Sequence, residues 1–182
     1  MIYTLIAEGF EEIEALAVVD ILRRAEIDVN LVSVTDSKIV KGAHGISINT
    51  DVTINEITDY DMLFLPGGYP GYVNLEKSEK VIKLIKEAYA ANKKIIAICA
   101  APSILGKEGL LEGKKACCFP GFEKELMGAQ VVFDDVCETG NIITSRGAGT
   151  AHKLGFKIVE LIKGSEFSKN LSETMLYTIN EK

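Results

Sequence analysis

Short runs of apolar residues alternate along the chain with segments in which apolar residues recur every three or four positions. Strands covered on both faces of a parallel sheet are continuously apolar, so the runs predict buried strands. The predicted strands are Tyr3–Ala7, Val29–Val34, Met62–Leu65, Ile95–Ile98 and Asn141–Thr144. The helical spacing predicts helices over Ile13–Ala25, after a capping Ser78, and from Ala151 to a stop at Gly164. This order of elements predicts an α/β fold, an open parallel sheet with helices on both faces.

Residues 1–182 are expected to form a single domain, because a chain of this length lies in the usual range for one hydrophobic core. The segment from Val40 to Asn49 is predicted to be a small hairpin insertion. The net charge is −6 and the 20 basic residues are scattered, so we expect no nucleic-acid partner. The N-terminal apolar run meets acidic residues at once, and no run approaches the ~20 residues of a membrane span. We therefore expect a cytoplasmic protein without a membrane partner.

The cysteines have no regular spacing, and the two histidines, His44 and His152, stand far apart in sequence. Without an export signal, free thiols are expected, and a metal site is disfavoured. Three of the cysteines are interpreted as small apolar residues of late strands in preference to a redox role: Cys117, Cys118 and Cys137.

Cys99 ends a predicted buried strand and is followed by small residues and Pro102. Ligands bind beyond the carboxyl ends of strands in open α/β sheets, and small residues permit a sharp turn that resembles a nucleophile elbow. The amides and positive dipole of a following helix would favour the thiolate, so a thiol pKa well below its ordinary value is expected. The alternative hypothesis is a plain core cysteine at a strand end.

Two other junctions follow predicted strands. Gly67 and Gly68 come directly after Leu65-Pro66, and adjacent glycines let two amides approach an oxyanion, although an ordinary tight turn explains the same sequence. Glu11 and Glu12 suit surface compensation of a helix dipole. Glu14 instead lies in a helix that is apolar on nearly every side, so its carboxyl is expected to be partly buried and protonated.

Four motifs in order along the chain resemble the ThiJ/PfpI superfamily, and most closely its branch that contains the human parkinsonism-associated deglycase. They are Ala7-Glu8-Gly9-Phe10-Glu11-Glu12-Ile13-Glu14, Leu65-Pro66-Gly67-Gly68, Ala97-Ile98-Cys99-Ala100-Ala101-Pro102 and Thr144-Ser145-Arg146-Gly147-Ala148-Gly149-Thr150. The match runs from Met1 to about Gly164. The resemblance implies a flavodoxin-like sandwich and a homodimer. It also implies a reactive Cys99, its carboxyl partner Glu14, and oxyanion-type amides at Gly67, Gly68 and Ala100.

The sequence departs from this branch at two positions. A histidine that approaches the cysteine in human-type members is replaced by Phe119, and an anion-contacting arginine is replaced by His44. His44 either lines the pocket or is structural, and Arg146 either holds an anion or forms a salt bridge. Tyr69 and Tyr72 either wall the pocket or cover the edge of the sheet. Ala100 stands where protease-like members have histidine, which disfavours peptidase activity, and a glutaminase His-x-Glu pair is missing at His152.

The resemblance implies glyoxalase or deglycase chemistry on methylglyoxal or its adducts, without a cofactor. The alternative is a redox sensor or redox-regulated chaperone in which Cys99 is oxidised to sulfinate. Both hypotheses use the same residues. The apolar character of the first helix predicts that a partner subunit covers part of it, at Ala15, Val18, Val19 and Leu22.

Overall fold

Seven strands form the central sheet of the computed structural model, which describes residues 1–178. The strands are β1 (Ile2–Ile6), β2 (Val29–Ser33), β3 (Ile39–Lys41), β4 (Ser47–Asn49), β5 (Val52–Thr53), β6 (Met62–Leu65), β7 (Lys94–Ile98), β8 (Lys115–Ala116), β9 (Gln130–Val131), β10 (Val136–Thr139) and β11 (Ile142–Ser145). The helices are α1 (Glu12–Arg24), α2 (Gly71–Lys77), α3 (Glu79–Ala90), α4 (Pro102–Lys107), α5 (Ala151–Lys163) and α6 (Ser165–Thr174). The strand order in the sheet is β10-β11-β7-β6-β1-β2-β5.

The central strands of this sheet run parallel, and only β10 is antiparallel, to its neighbour β11. Successive side chains on a strand point to opposite faces. Ile6, Phe64 and Ile98 therefore pack against α1 and α5 on one face, while Leu5 and Leu65 pack toward α2, α3 and α4 on the other. Burial on both faces explains why these strands are continuously apolar in sequence.

The predicted α/β architecture is confirmed, and each predicted strand of the main sheet lies within one residue of its observed bounds. The predicted hairpin is the antiparallel pair β3–β4, and Ser78 caps α3 by accepting a hydrogen bond from the amide of Val81 at 3.4 Å. Helix α4 follows Cys99 as expected, and Cys137 lies in the late strand β10, but the sequence did not predict β5, β8, β9, α2 or α6. Most of these elements are only two to seven residues long, too short to show a hydrophobic period.

The apolar surface of α1 is covered within the chain. The four residues expected to meet a partner subunit are at most 3% exposed, so they are not available to a partner: Ala15, Val18, Val19 and Leu22. Helix α5 packs closely on α1 because Gly155 has no side chain; a Cβ there would stand 2.8 Å from the end of Ile21. The large apolar residue that α1 leaves exposed is Ile13, at 53%.

Each helix within residues 1–178 is too short or too polar to cross a membrane.

Candidate active site

Cys99 stands on a strained turn at the carboxyl end of β7. Its backbone has φ +65°, a conformation that costs a side-chain-bearing residue about 1–3 kcal/mol. Two neighbouring segments hold this turn, because the amide of Cys99 donates to the Ser145 carbonyl at 3.0 Å and its own carbonyl accepts from the Phe119 amide at 2.8 Å. The turn thus presents the side chain beyond the sheet edge, as the elbow hypothesis predicts.

Glu14 lies in the first turn of α1 and is only 1% exposed. Its carboxylate accepts a hydrogen bond from the Gly67 amide at 2.9 Å and contacts the thiol of Cys99. Burial raises the pKa of this carboxyl to about 7, assisted by the charge of Glu11 and opposed by the hydrogen bonds with Cys99 and Gly67. Glu14 can therefore both accept and donate a proton near neutral pH.

The thiol of Cys99 has a raised pKa, contrary to the expectation from the helix dipole. Burial raises the pKa to about 12, and the charge of Glu14 and its hydrogen bond to the thiol add to the rise. The amides of Ala100 and Gly68 face the sulfur and act in the opposite direction. Helix α4 has only six residues and begins at Pro102, so little dipole is directed at the sulfur.

Gly67 and Gly68 have different roles at this site. A Cβ at Gly67 would stand 2.7 Å from the Cβ of Cys99 and 2.7 Å from Oε2 of Glu14, so only glycine lets the thiol and the acid meet. Its amide is bonded to Glu14 and does not face the sulfur, unlike the expected oxyanion-type amide. Gly68 has φ +91°, which glycine adopts without strain, and its amide does face the sulfur.

The exposed ring of His44 lies against Glu11 and Glu12 at the start of α1, away from the thiol of Cys99. Its Nδ1 is 3.0 Å from Glu12 and 3.4 Å from Glu11, and hydrogen bonding to Glu12 followed by the charge of Glu11 raises the pKa of the imidazole. The donor atoms of the three side chains lie within 4.8 Å of one another, close enough to hold a metal ion, but an ion pair accounts for the same contacts.

Glu12 was expected at the surface and is instead 5% exposed. It accepts backbone hydrogen bonds from His44 at 2.8 Å and Ile46 at 3.4 Å. Although burial raises the pKa of this carboxyl, the hydrogen bonds outweigh it and leave the pKa below its ordinary value. Glu12 thus ties the loop between β3 and β4 to the helix that carries Glu14.

The two remaining predicted pocket residues, Phe119 and Arg146, lie in different places. Phe119 lies at the site, because its ring is 3.2 Å from the position that a Cβ on Gly147 would take, and Oε1 of Glu14 is 3.9 Å from the same position. Arg146 packs instead over the exposed ring of Phe133, with 6.0 Å between Cζ and the ring centroid. Its charge lowers the pKa of Cys117 and Cys118.

Two residues of the site were assigned no role from the sequence: Ser145, which holds the Cys99 turn, and Gly147, which faces the site. Both belong to the Thr144–Thr150 motif, in which only Arg146 was considered. The side chain of Thr150 accepts from the Gly147 amide at 3.1 Å and bonds Ser145 at 2.7 Å. Ser145 ends β11, the neighbour of β7, and Gly147 follows two residues later; this position at the carboxyl end of the strand was the available signal.

These contacts define an α/β protein whose cysteine stands on a strained turn at the sheet edge, beside an acid that can exchange a proton with it. Residues 1–161 match the DJ-1/PfpI family, and the chain belongs to that family. It is 36% identical over 188 residues to Protein DJ-1 homolog B of Arabidopsis thaliana, covering 97% of this chain and 43% of the relative. The chain thus spans less than half the length of that relative.

Two further comparisons cover nearly whole proteins. The chain is 32% identical over 167 residues to the glutathione-independent glyoxalase DJR-1.2 of Caenorhabditis elegans, with 90% of this chain and 89% of the relative covered. Its fold matches the structure of oxidized DJ-1 from Toxoplasma gondii with a TM-score of 0.93 and 33% identity, over 97% and 98% of the two chains.

Proposed function

We propose that this protein is a cysteine-dependent, cofactor-free enzyme of carbonyl and oxidative stress that converts methylglyoxal to lactate. The observation that supports this most directly is the contact between the Cys99 thiol and the buried carboxyl of Glu14, whose pKa burial raises to about 7. A nucleophile needs a base of this kind, with a pKa near the working pH, to remove its proton. The name of the Caenorhabditis elegans relative agrees with this chemistry.

The reaction begins when the sulfur of Cys99 bonds to the aldehyde carbon of methylglyoxal while Glu14 takes the thiol proton. The amides of Gly68 and Ala100, which face the sulfur, lie where they can donate to the carbonyl oxygen as it gains charge. Glu14 gives the thiol proton to this oxygen, which completes the hemithioacetal and restores the carboxylate. The carboxylate then takes the proton from the former aldehyde carbon and delivers it to the ketone carbon through an enediol. The first carbon is oxidised to a thioester and the second is reduced to an alcohol.

Water hydrolyses the thioester, which releases lactate and restores the thiol. One methylglyoxal and one water give one lactic acid, so atoms and electrons balance within the substrate. Deglycase activity on glycated adducts needs the same attack at the same carbon, with the amine or thiol of the adduct as the leaving group.

A redox sensor or redox-regulated chaperone is the second candidate function. Cys99 is partly exposed, whereas the other cysteines are buried: Cys117, Cys118 and Cys137. An oxidant therefore has access to Cys99 first, and a protonated Glu14 can donate a hydrogen bond to the sulfinate that forms.

We also propose that the protein is a cytoplasmic homodimer that acts on a small carbonyl compound or a glycated adduct, with no nucleic-acid or membrane partner. The family resemblance and the exposed Ile13 on α1 support the dimer, and four free cysteines suit a reducing compartment. Light scattering tests the dimer, with about twice the chain mass expected and a mass of 19.8 kDa contradicting it.

Lactate formation by the purified chain, without glutathione, tests the enzymatic function. We expect slow turnover, because Phe119 leaves the site without a histidine base, and nearly complete loss in Cys99→Ala. Cys137→Ala is the matched control, since it removes a buried cysteine of the edge strand β10 and should keep the activity. Wild-type rates in Cys99→Ala would contradict the proposal.

A further inference from the structure

Two exposed aromatic residues belong to the segments that contact Cys99. Tyr69 directly follows Gly68, whose amide faces the sulfur, and is 75% exposed. Phe119 is bonded through its backbone to the carbonyl of Cys99 and is 46% exposed. Both residues therefore lie on segments whose backbone contacts Cys99, and both rings are open to solvent.

Two half-buried rings connect and anchor the exposed ones. Tyr72 lies 6.4 Å from Tyr69 between ring centroids and packs edge-on against Phe122 at 5.5 Å. The amide of Phe122 donates to the carbonyl of Phe119 at 3.1 Å. We name these four residues the aromatic rim: ring contacts join Tyr69, Tyr72 and Phe122, and a backbone hydrogen bond joins Phe122 to Phe119.

Gly147 allows the ring of Phe119 to approach the acid. Its φ of 163° is extended backbone that any residue adopts, so conformation does not require glycine there. A Cβ would lie 3.2 Å from the ring of Phe119, closer than ordinary van der Waals contact. The missing side chain thus lets the ring lie against the backbone on the side where Glu14 is found.

The main electrostatic influences on this site are not cationic. The interactions that shift the pKa values of Cys99 and Glu14 most come from burial, carboxylates and backbone amides. Arg146 is directed to Phe133. A substrate carrying a carboxylate or phosphate would meet the negative charges of Glu14 and Glu11.

We propose that the site selects neutral α-oxoaldehydes with an aromatic substituent, and that Phe119 is the specificity-determining residue. This inference rests on the function proposed above. The sulfur attacks the aldehyde carbon, and the substituent on the ketone carbon lies against the aromatic rim. The product of phenylglyoxal and one water is mandelic acid, formed by the same internal oxidation and reduction that converts methylglyoxal to lactic acid.

Steady-state kinetics with phenylglyoxal and methylglyoxal test this selectivity. Phe119→Leu keeps an apolar side chain without the ring and should lower kcat/KM for phenylglyoxal by about three- to tenfold, mainly through KM. The loss for methylglyoxal should be smaller, so the ratio of the two kcat/KM values should fall. Phe133→Leu is the matched control, since Phe133 is 68% exposed and lies outside the rim, and should change neither substrate. Equal losses for both aldehydes in Phe119→Leu, or no loss for either, would overturn the proposal.

A second measurement separates selectivity from catalysis. Alkylation of Cys99 by 2-bromoacetophenone and by bromoacetone needs no turnover. Each rate is divided by the rate of the same reagent with glutathione. The ratio of the first corrected rate to the second is the aromatic preference. This preference should exceed one and fall in Phe119→Leu by the same factor as the ratio of the two kcat/KM values. If neither aldehyde is converted but the preference persists, the glyoxalase function fails and the selectivity stands. If the aldehydes are converted but the preference is absent, the selectivity is wrong and the glyoxalase function stands.

Discussion

Replacing Glu14 with glutamine should remove a large part of the pH dependence of folding stability. The carboxyl is 1% exposed, and burial raises its pKa from an ordinary value of 4.5 to about 7 in the folded protein. Between these two pH values the unfolded chain has released a proton that the folded chain still holds. The contribution of this group is therefore fully present below pH 4.5 and is lost as the pH rises through about 7.

The two pKa values set the size of the effect. The interval from 4.5 to about 7 corresponds to a fall of about 3 kcal/mol in the free energy of unfolding. That fall is a large share of the free energy of unfolding of a typical domain, which is about 5–15 kcal/mol. Glutamine cannot ionise, so the Glu14→Gln variant should lack this fall. Its free energy of unfolding, minus that of the wild type, should increase by about 3 kcal/mol across the interval.

Urea unfolding followed by circular dichroism, in reducing buffer at several pH values from about 4.5 to about 8, measures this difference. Glu79→Gln is the matched control, because Glu79 is also in the first turn of a helix but is exposed. Its curve of stability against pH should run parallel to that of the wild type. A parallel curve for Glu14→Gln as well would refute the reasoning, since it would show that burial does not hold a proton on Glu14.

Three other outcomes are expected. Alkylation of Cys99 by iodoacetamide should reach half its maximal rate at a lower pH in Glu14→Gln, because the carboxylate charge no longer raises the thiol pKa; an unmoved midpoint would show that the acid does not act on the sulfur. Graded peroxide followed by peptide mass spectrometry should show Cys99 oxidised before the buried cysteines and largely halted at sulfinate, whereas equal rates would make Cys99 a core cysteine. Gly67→Ala should lower lactate formation by about tenfold or more and lower the melting temperature, because its Cβ would stand 2.7 Å from both Cys99 and Glu14; unchanged values would show that the turn can relax.

The parts of the fold that the sequence predicts are those whose burial is nearly complete. Strands β6 and β7 are covered on both faces, so their residues are apolar without interruption and the run itself marks the element. Strands β5, β8 and β9 have two residues each and cannot show a period. The apolar surface of α1 was assigned to a partner because sequence alone does not reveal that α5 covers it, with Gly155 allowing the close approach.

The candidate site likewise has contacts that the sequence predicts and contacts that it does not. Cys99 and Gly67 follow adjacent parallel strands, β7 and β6, so their meeting at one sheet edge follows from the topology. The contact of Glu12 with His44 joins residues 32 positions apart through a loop, and no local pattern distinguishes Glu12 from Glu11 beside it. The sign of the Cys99 pKa depends on burial and on the distance to Glu14, which the sequence does not contain.

Cys99 and Glu14 can pass a proton between them, and both proposed functions depend on which of the two holds it. With the proton on sulfur, the ionised acid is held by the Gly67 amide and the thiol is unreactive; with the proton on Glu14, the amides of Gly68 and Ala100 face a thiolate. Burial raises both pKa values, so the site resists carrying two negative charges. An aldehyde that accepts electrons from sulfur, or a peroxide that oxidises it, draws the proton toward Glu14. The protonated acid is then positioned to give it to the hemithioacetal oxygen in one case and to bind a sulfinate oxygen in the other. A single proton position thus explains why one pair of residues can support both catalysis and sensing.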